Sequence, residues 1–342
     1  MIVTGISFSS DKKLVRCENQ YHYRYEEKLK PRTKSKGLYM GSVIHDLLEA
    51  HRKKLGWKKA FKKFKTEQWD KLFDEQREMY EEKDMTPELV YDLFGHYVEH
   101  WASQDSLLEP MYVEQDFELS VKLADSVRVP MRFKGDYIAR YKKEVILFEN
   151  KNKKTIPEGD DRILSPQPHS YCYMLSRLPK PIIITKIVWD YIRTTPVPKP
   201  QILKAGGLST RKINTDQRMY LRSLKEAKIH PKGDEITGLE NHLKTLPETL
   251  ALARFTNIPN LRIGESFVRD WVDRARRARG ITRPTRNWER SCGWMCDYQK
   301  LCQADLLGKP DRNTIVKRDF VVSIKRAEEE TEKEGEQSDD QV

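Results

Sequence analysis

The sequence of 342 residues has no apolar run long enough to cross a bilayer. Its longer apolar runs, such as Pro181–Ile184, fall far short of the roughly 20 residues that a membrane-spanning helix needs. The start, Met1–Gly5, also lacks a basic segment followed by an apolar stretch, so no export signal is predicted. We therefore expect no membrane association and a cytoplasmic location.

Cysteine is scarce, with only five residues in the chain. In a reducing cytoplasm these thiols are expected to stay free or to bind metal rather than to form disulfides. Four of them are split between Cys17, near the start, and Cys292, Cys296 and Cys302, near the end. Four thiolates suit Zn²⁺ or one iron–sulfur cluster, so the sequence predicts a metal clasp that joins the two ends. The fifth, Cys172, is expected in the core.

Acidic residues are outnumbered, with 52 Asp and Glu against 63 Lys and Arg, which gives a net charge of +11. Residues 327–342 hold eight of the acidic residues and one lysine, so residues 1–326 carry +18. A field of this sign attracts polyanions, and nucleic acid is the usual partner. The acidic segment 327–342 is predicted to be a disordered tail.

Basic residues are concentrated between Arg52 and Lys65, where they alternate with Trp57, Phe61 and Phe64. Two interpretations stay open for this segment. It is either a helix that binds a nucleic-acid backbone or a solvated helix whose aromatic side chains face the core.

The order of predicted elements favours a mixed α/β fold. Residues 1–110 are predicted to be mainly helical, 111–195 to form a sheet core, 196–214 a basic loop and 215–310 a second helical part. The predicted strands are Tyr112–Lys122, Val127–Tyr141, Glu144–Asn150 and Pro181–Thr194. The predicted helices include Lys12–Lys30, one from Lys36, Thr86–Gln104, Gln167–Arg177, Thr215–Lys228, Gly238–Ala253 and Glu265–Arg279. We expect one domain over residues 1–326, with a mixed central β-sheet flanked by helices.

Two carboxylates and a lysine lie on adjacent predicted strands. Glu149 and Lys151 are two apart and share a face, Asn150 points to the other side, and Asp136 could lie across from the first two. Carboxylate oxygens suit Mg²⁺ or Mn²⁺, which polarise phosphate and lower the pKa of water. Lys151 would hold or help deprotonate that water and offset charge that develops on the phosphate. An ordinary cross-strand ion pair is the alternative interpretation.

Six segments in this order resemble motifs of the PD-(D/E)XK nuclease superfamily. The likeness is to its RecB-like branch with an iron–sulfur clasp, which includes CRISPR-adaptation and phage exonucleases. The segments are Cys17, Gly41–His45 (G-x-x-x-H), Phe133–Asp136 (Gly-Asp), Phe148–Lys151 (E-x-K), Gln167–Tyr171 (Q-x-x-x-Y) and Cys292–Cys302.

The resemblance implies a restriction-endonuclease-like core with helical N- and C-terminal additions joined by a four-cysteine [4Fe-4S] cluster. The metal ligands that it implies are His45, Asp136, Glu149 and the main-chain carbonyl of Asn150. Gln167 and Tyr171 would steady the site or the scissile strand. His45 could instead be a core histidine, and Gln167 and Tyr171 could only cap and pack the sheet.

The cysteine segment departs from the family pattern in two ways. Its spacing is C-x3-C-x5-C where C-x2-C-x5-C is usual, and Glu18 stands where a proline commonly follows the first cysteine. The longer first gap keeps Zn²⁺ open as an alternative, although the distant fourth cysteine favours the iron–sulfur cluster.

These patterns together predict a metal-dependent DNA exonuclease that acts on single strands or duplex ends in recombination, repair or replication. If the chain is phage-encoded, it would act in the bacterial host cytoplasm.

One alternative is the nuclease subunit of a helicase–nuclease or CRISPR adaptation complex, with a helicase, recombinase or single-strand-binding protein as partner. Another is a non-catalytic iron–sulfur DNA-binding module. The chain has no G-x-x-x-x-G-K-[ST] loop, so a partner would have to supply any unwinding. Cleavage polarity, exo- or endonuclease action, DNA or RNA, and a homo-oligomer all stay open.

Overall fold

The computed structural model describes residues 1, 3–32, 35–82, 85–124, 127–157, 165–203, 207–210, 214–287, 292, 296–308 and 311–322. The predicted acidic tail, 327–342, and parts of the predicted basic loop, 204–206 and 211–213, lie outside the described residues. The chain divides into two compact units. The first comprises Met1–Lys34, Asp116–Phe133 and Arg262–Val342, and the second comprises Ser35–Gln115 and Lys134–Leu261. The assignment of residues 1–326 to one domain stays a prediction.

The helices are α1 Phe8–Arg16, α2 Glu18–Tyr21, α3 Lys36–Arg52, α4 Trp57–Phe64, α5 Asp74–Glu81, α6 Pro87–Asp105, α7 Pro166–Ser176, α8 Gln217–Glu226, α9 Asp234–Thr245, α10 Leu261–Arg279, α11 Gln299–Leu307 and α12 Arg312–Asp319. Two π-helical turns are His22–Glu26 and Lys65–Trp69. The strands are β1 Leu29–Pro31, β2 Glu109–Ala124, β3 Val127–Tyr141, β4 Glu144–Lys153, β5 Lys186–Arg193, β6 Leu252–Asn257 and β7 Phe320–Val322.

The first unit joins early and late parts of the chain through a small sheet. Strand β1 pairs antiparallel with β7, and Leu29 lies opposite Val322. A reciprocal cap between Ser7 and Ser10 starts helix α1. The extended backbone of Cys17 ends that helix and begins α2. The single helix predicted over residues 12–30 is therefore wrong, because Cys17 interrupts it.

The main sheet has five strands in the order β2-β3-β4-β5-β6. Strand β4 is antiparallel to β3 and parallel to β5, while β6 returns antiparallel to β5. A parallel pair needs a crossover connection, and helix α7 lies in the connection between β4 and β5. The predicted fold class, a mixed central sheet flanked by helices, is confirmed.

Helices α3 and α6 supply much of the core of the second unit. Ile44 and Leu48 of α3 and Phe94 and Tyr97 of α6 are fully buried in one cluster. The aromatic side chains of α4 pack against the same cluster, which leaves its lysines facing outward. This packing favours the solvated-helix interpretation of the basic segment. No helix in the described part of the chain is both long and apolar enough to span a bilayer.

Strand β6 corrects the prediction that residues 215–310 are helical and that a helix runs over Gly238–Ala253. Pro247 disfavours helical backbone at the residue before it, and Leu246 is accordingly extended, so α9 stops at Thr245. The chain then reaches the free edge of β5, where Ile187 lies opposite Asn257. The long strand predicted over Pro181–Thr194 is shorter, because only residues 186–193 pair in the sheet.

Candidate active site

Helix α3 carries the histidine of the G-x-x-x-H segment. The Ser35 hydroxyl caps the helix by accepting a hydrogen bond from a main-chain N–H of its first turn. Met40, Ile44 and Leu47 are almost completely buried and fix the orientation of the helix. The His45 side chain lies beside this apolar face and keeps 31% of its surface exposed. A partly open imidazole is therefore held at the margin of the core.

Strand β2 contributes a carboxylate that the sequence motifs did not indicate. Glu114 has a side chain only 5% exposed, and its backbone φ is +52°, a conformation uncommon for a residue other than glycine. Its Oε1 lies 3.0 Å from His45 Nδ1, and its Oε2 lies 2.8 Å from Lys134 Nζ. Nothing in the spacing of the chain distinguishes this glutamate from others on β2.

Strands β3 and β4 bring together the residues of the Gly-Asp and E-x-K segments. The Asp136 carboxylate accepts a hydrogen bond of 2.8 Å from the main-chain N–H of Asn150. Glu149 is 1% exposed and forms an ion pair with Lys151, and its second oxygen, Oε2, is buried without a hydrogen-bond partner in the described residues. The side chains of Glu149 and Lys151 point the same way, as alternation along a strand requires.

Helix α7 presents the Q-x-x-x-Y pair, as predicted. Lys151 Nζ donates to Gln167 Oε1 at 3.1 Å, and Gln167 Nε2 donates to the Tyr171 hydroxyl oxygen at 3.1 Å. The two helix residues are four apart and so lie on one face. They extend the site from the lysine across the helix.

Burial dominates the protonation of the carboxylates. It raises the pKa of Glu149 to about 7, although Lys151 opposes the shift. Burial also raises the pKa of Asp136, and the charge of His45 opposes it. Burial alone would lower the pKa of His45, but the hydrogen bond to Glu114 and the charge of Asp136 outweigh it, so that pKa is raised. The carboxylates of Glu149 and Asp136 repel each other, and a cation bound beside them would reduce this repulsion.

The donor set fits a divalent metal ion. Donor atoms of His45, Glu114 and Asp136 all lie within 4.8 Å of one another. Oxygen donors with one imidazole suit Mg²⁺ or Mn²⁺. Glu149 is outside this compact group, but its orphaned oxygen is a further unused donor close to Lys151. Metal ligation by His45, Asp136, Glu149 and the Asn150 carbonyl, and the roles of Lys151, Gln167 and Tyr171, stay predictions.

The sequence model of one family covers most of the chain. It is that of the PD-(D/E)XK nuclease superfamily, and it matches residues 5–303. The chain belongs to this superfamily. The superfamily match includes the whole of the site described above and Cys17, Cys292, Cys296 and Cys302. A comparison with curated proteins found no match.

Two solved structures are similar to this PD-(D/E)XK chain over most of their length. One is from Eubacterium rectale and has a provisional description as an exonuclease; it is 8% identical, with 87% of each chain covered and a TM-score of 0.47. The other, SSO0001, is 10% identical, with 86% of this chain and 87% of that chain covered and a TM-score of 0.32. Likeness at these scores carries no information about activity.

The opposite face of β4 and β5 holds a buried network of charges. Arg52 at the end of α3 donates to Asn150 Oδ1 at 3.0 Å and to Asp190 Oδ2 at 3.3 Å. Arg254 of β6 also donates to Asp190, at 3.2 Å, and the Tyr97 hydroxyl donates to it at 2.5 Å. Asp190 is 1% exposed, and the two arginines pair with its Oδ2, while its Oδ1 has no hydrogen-bond partner in the described residues. Sequence reasoning missed this network, although an aspartate within the apolar segment that forms β5 was a signal that a cation must lie beside it.

One cavity of the first unit is lined by Cys17, Cys292, Cys296 and Cys302, and a metal clasp there stays a prediction. Three neighbouring groups contact their sulfur atoms. Gln20 Nε2 lies 3.2 Å from Cys296 Sγ, and Asn19 Nδ2 lies 3.8 Å from Cys302 Sγ. Arg286 also forms a hydrogen bond with Cys302. Burial is the largest influence on the pKa of Arg286 and lowers it, but interactions that include this hydrogen bond outweigh burial, so that pKa is raised. The fifth thiol, Cys172, is buried in the core as predicted.

Proposed function

We propose that this member of the superfamily is a metal-dependent DNA exonuclease. The observation that carries the proposal is the close group of His45, Glu114 and Asp136 donors beside the buried pair of Glu149 and Lys151. Membership of a nuclease superfamily makes a phosphodiester the bond to be cleaved. The basic charge of the chain suits a DNA substrate.

The proposed ligands of Mg²⁺ or Mn²⁺ are Asp136, His45, Glu149 and the main-chain carbonyl of Asn150. Glu114 joins this set either as a ligand or as the group that orients the His45 imidazole, because it already binds Nδ1. When bound, the metal would polarise a phosphate oxygen and lower the pKa of water. The Asn150 N–H holds the Asp136 carboxylate in place from the neighbouring strand.

Lys151 is proposed to act on the attacking water and on charge that develops on the phosphate. Its pKa is raised, because the charge and hydrogen bond of Glu149 outweigh the opposite effect of burial, so it stays an ammonium in the resting site. A cation in this position stabilises negative charge on phosphate oxygens. Gln167 accepts from Lys151 and donates to Tyr171, and this chain of contacts would keep the ammonium directed at the scissile bond.

The four cysteines are proposed to hold a [4Fe-4S] cluster rather than Zn²⁺. With Zn–S bonds of roughly 2.3 Å, tetrahedral geometry places the sulfur atoms about 3.8 Å apart. No three of the described sulfur atoms of Cys17, Cys292, Cys296 and Cys302 fall within 4.8 Å of one another, although all line one cavity. The described sulfur atoms are therefore not arranged as a preformed tetrahedral Zn²⁺ site, and the preference for the cluster rests on the distant fourth cysteine. The N–H donors near Cys296 and Cys302 are also of the kind that tune such clusters.

The test is digestion of DNA labelled at either its 5′ or its 3′ end, with Mg²⁺, Mn²⁺ or EDTA. We expect metal-dependent loss of label or of mononucleotides from wild-type protein, and no cleavage by Asp136→Asn. Glu144→Gln is the matched control, because Glu144 lies at the exposed end of the same sheet and pairs with Lys186. Cleavage by Asp136→Asn at the wild-type rate would overturn the site assignment. Internal cuts in circular DNA would replace the exonuclease proposal with an endonuclease.

An iron assay and visible spectrum of anaerobically purified protein test the cluster separately. We expect iron and broad absorbance near 400 nm, a wavelength region typical of thiolate-bound iron, and loss of both in Cys296→Ser. Stoichiometric zinc without iron would reverse the choice of metal. It would leave the catalytic proposal untouched.

A further inference from the structure

The second unit contains a cavity of about 400 Å³ that the candidate active site does not use. It lies between helices α6 and α8 and the segment that follows β5. Leu89, Leu93, Val197 and Met219 give it an apolar lining. This volume is within the range of pockets that bind small molecules.

The charged residues around the cavity are unequal in sign. The cations are Arg193, Lys199, Arg218 and Arg222, and the anions are Glu88 and Asp92. Arg218 and Arg222 both pair with Asp92, each at 2.7 Å, so most of this charge is already compensated. Lys199 is likewise compensated, by Glu226 at 2.6 Å.

Arg193 is the exception among these cations. It is 9% exposed, and its Nε has no hydrogen-bond partner in the described residues. Within the described residues, its side chain donates one hydrogen bond, a long one of 3.5 Å to the Pro196 carbonyl. No carboxylate of those residues lies within ion-pair distance of it. A buried guanidinium without an anion is costly, whereas the same group beside an anion is not. Among the described residues, Arg193 is therefore a cation of the cavity wall that has no anionic partner.

The lining of the cavity includes none of the proposed catalytic residues. Leu93, Val197 and Met219 belong to the core cluster that also contains Ile192 and Tyr97. Tyr97 donates to Asp190, and Asp190 lies on the face of the sheet opposite Glu149 and Lys151.

We propose that the Arg193 cavity binds a small phosphate-bearing molecule of nucleoside-monophosphate size. Arginine donates two parallel hydrogen bonds to phosphate and is favoured for buried anions. The apolar wall of Leu89, Leu93 and Met219 suits the sugar and base of such a molecule, and the volume accommodates it. Neither the superfamily motifs nor the metal site assign this cavity.

Calorimetry in EDTA, which removes divalent metal, tests the proposal directly. The probes are deoxyadenosine monophosphate, deoxyadenosine, inorganic phosphate and an unphosphorylated single-stranded 12-mer. We expect the monophosphate to bind, and deoxyadenosine to bind at least about tenfold more weakly because it lacks the charge. Inorganic phosphate should compete with the monophosphate. Tighter binding of the 12-mer at the same site would overturn the small-molecule assignment in favour of the DNA backbone.

Arg193→Met is the decisive variant. It should weaken monophosphate binding at least about tenfold, while its unfolding temperature without ligand stays equal to or above that of wild type, since it removes an unpaired buried charge. Arg269→Met is the matched control, because Arg269 is 69% exposed in helix α10 and pairs with Glu265. Should Arg193→Met misfold, Leu89→Trp fills the cavity and should abolish binding by itself. Unchanged binding in both variants, or no binding of the monophosphate to wild type, would overturn the proposal.

Discussion

The two faces of strand β4 use buried charge in opposite ways. On one face, Glu149 forms an ion pair with Lys151, and its second oxygen has no hydrogen-bond partner in the described residues. On the other face, Asp190 of the adjacent strand receives hydrogen bonds from Arg52, Arg254 and Tyr97. Each carboxylate keeps one buried oxygen without a hydrogen-bond partner in the described residues, but two arginines pair with Asp190 where one lysine pairs with Glu149.

This difference supports the proposal that Glu149 binds metal, whereas Asp190 has a structural role. Compensated charge inside a core contributes to the folded state only while its partners remain. Uncompensated carboxylates instead reduce stability until a cation arrives. Arg52 links the two faces, because it also holds the side chain of Asn150, whose main-chain N–H binds Asp136. The Asp190 face therefore helps to position the backbone that holds Asp136.

The largest expected effect is on cleavage, from Glu149→Gln. Loss of this carboxylate should reduce the rate about 10³-fold or more. The unfolding temperature in EDTA should not fall, because the change removes a buried charge that is only partly compensated. Thermal unfolding and the end-label assay measure the two quantities, with exposed Glu118→Gln as control. A large loss of stability would show instead that the charge of Glu149 is compensated in the folded protein.

Asp190→Asn should give the opposite pattern. Removal of the shared anion leaves Arg52 and Arg254 buried without it, and we expect the free energy of unfolding to fall by about 3 kcal/mol. Urea denaturation measures this change. Asp70→Asn, at an exposed pair with Lys65, should cost less than about 1 kcal/mol. Equal effects of the two substitutions would remove the contrast between the faces.

Glu114→Gln should have a smaller effect, confined to the metal. It keeps the shape of the side chain but removes the charge beside His45 Nδ1. We expect Mn²⁺ to bind about 10- to 100-fold more weakly, with little change in the unfolding temperature in EDTA. Titration calorimetry gives the affinity. An unchanged affinity would limit Glu114 to a purely structural contact.

The smallest effect is the pH dependence of metal affinity. Burial raises the pKa of Glu149 to about 7, and Lys151 opposes that shift. Metal needs the deprotonated carboxylate, so affinity should rise with pH, by about tenfold per unit below pH 7, and then level off. Lys151→Met removes the opposing charge and should move the plateau to higher pH. A flat profile from pH 6 to pH 8 would show that Glu149 is not a ligand.

Local motifs allowed the proposed catalytic residues to be predicted from the sequence. Glu149 and Lys151 are predicted because two-residue spacing on a strand fixes a common face, and Gln167 and Tyr171 because their segment resembles the Q-x-x-x-Y motif of the superfamily. Glu114 is not, since its proximity to His45 depends on the path of β2 and on one uncommon backbone angle.

Tertiary pairing explains the misassigned segment as well. Residues 252–257 form β6 because β5 offers an unpaired edge, and no helix or strand periodicity in six residues reveals that edge. Pro247 was nevertheless readable as the end of the preceding helix. The cavity of Arg193 lay beyond sequence reasoning, since its walls come from four separate segments.

The pairing of β1 with β7 has a consequence for synthesis on the ribosome. Leu29 emerges early, yet its cross-strand partner, Val322, is translated almost three hundred residues later. The second unit, Ser35–Gln115 with Lys134–Leu261, is complete well before that point and can condense first. Cys17 is likewise synthesised long before Cys292, Cys296 and Cys302. Any inorganic group held by all four would be acquired only after translation of the last of them.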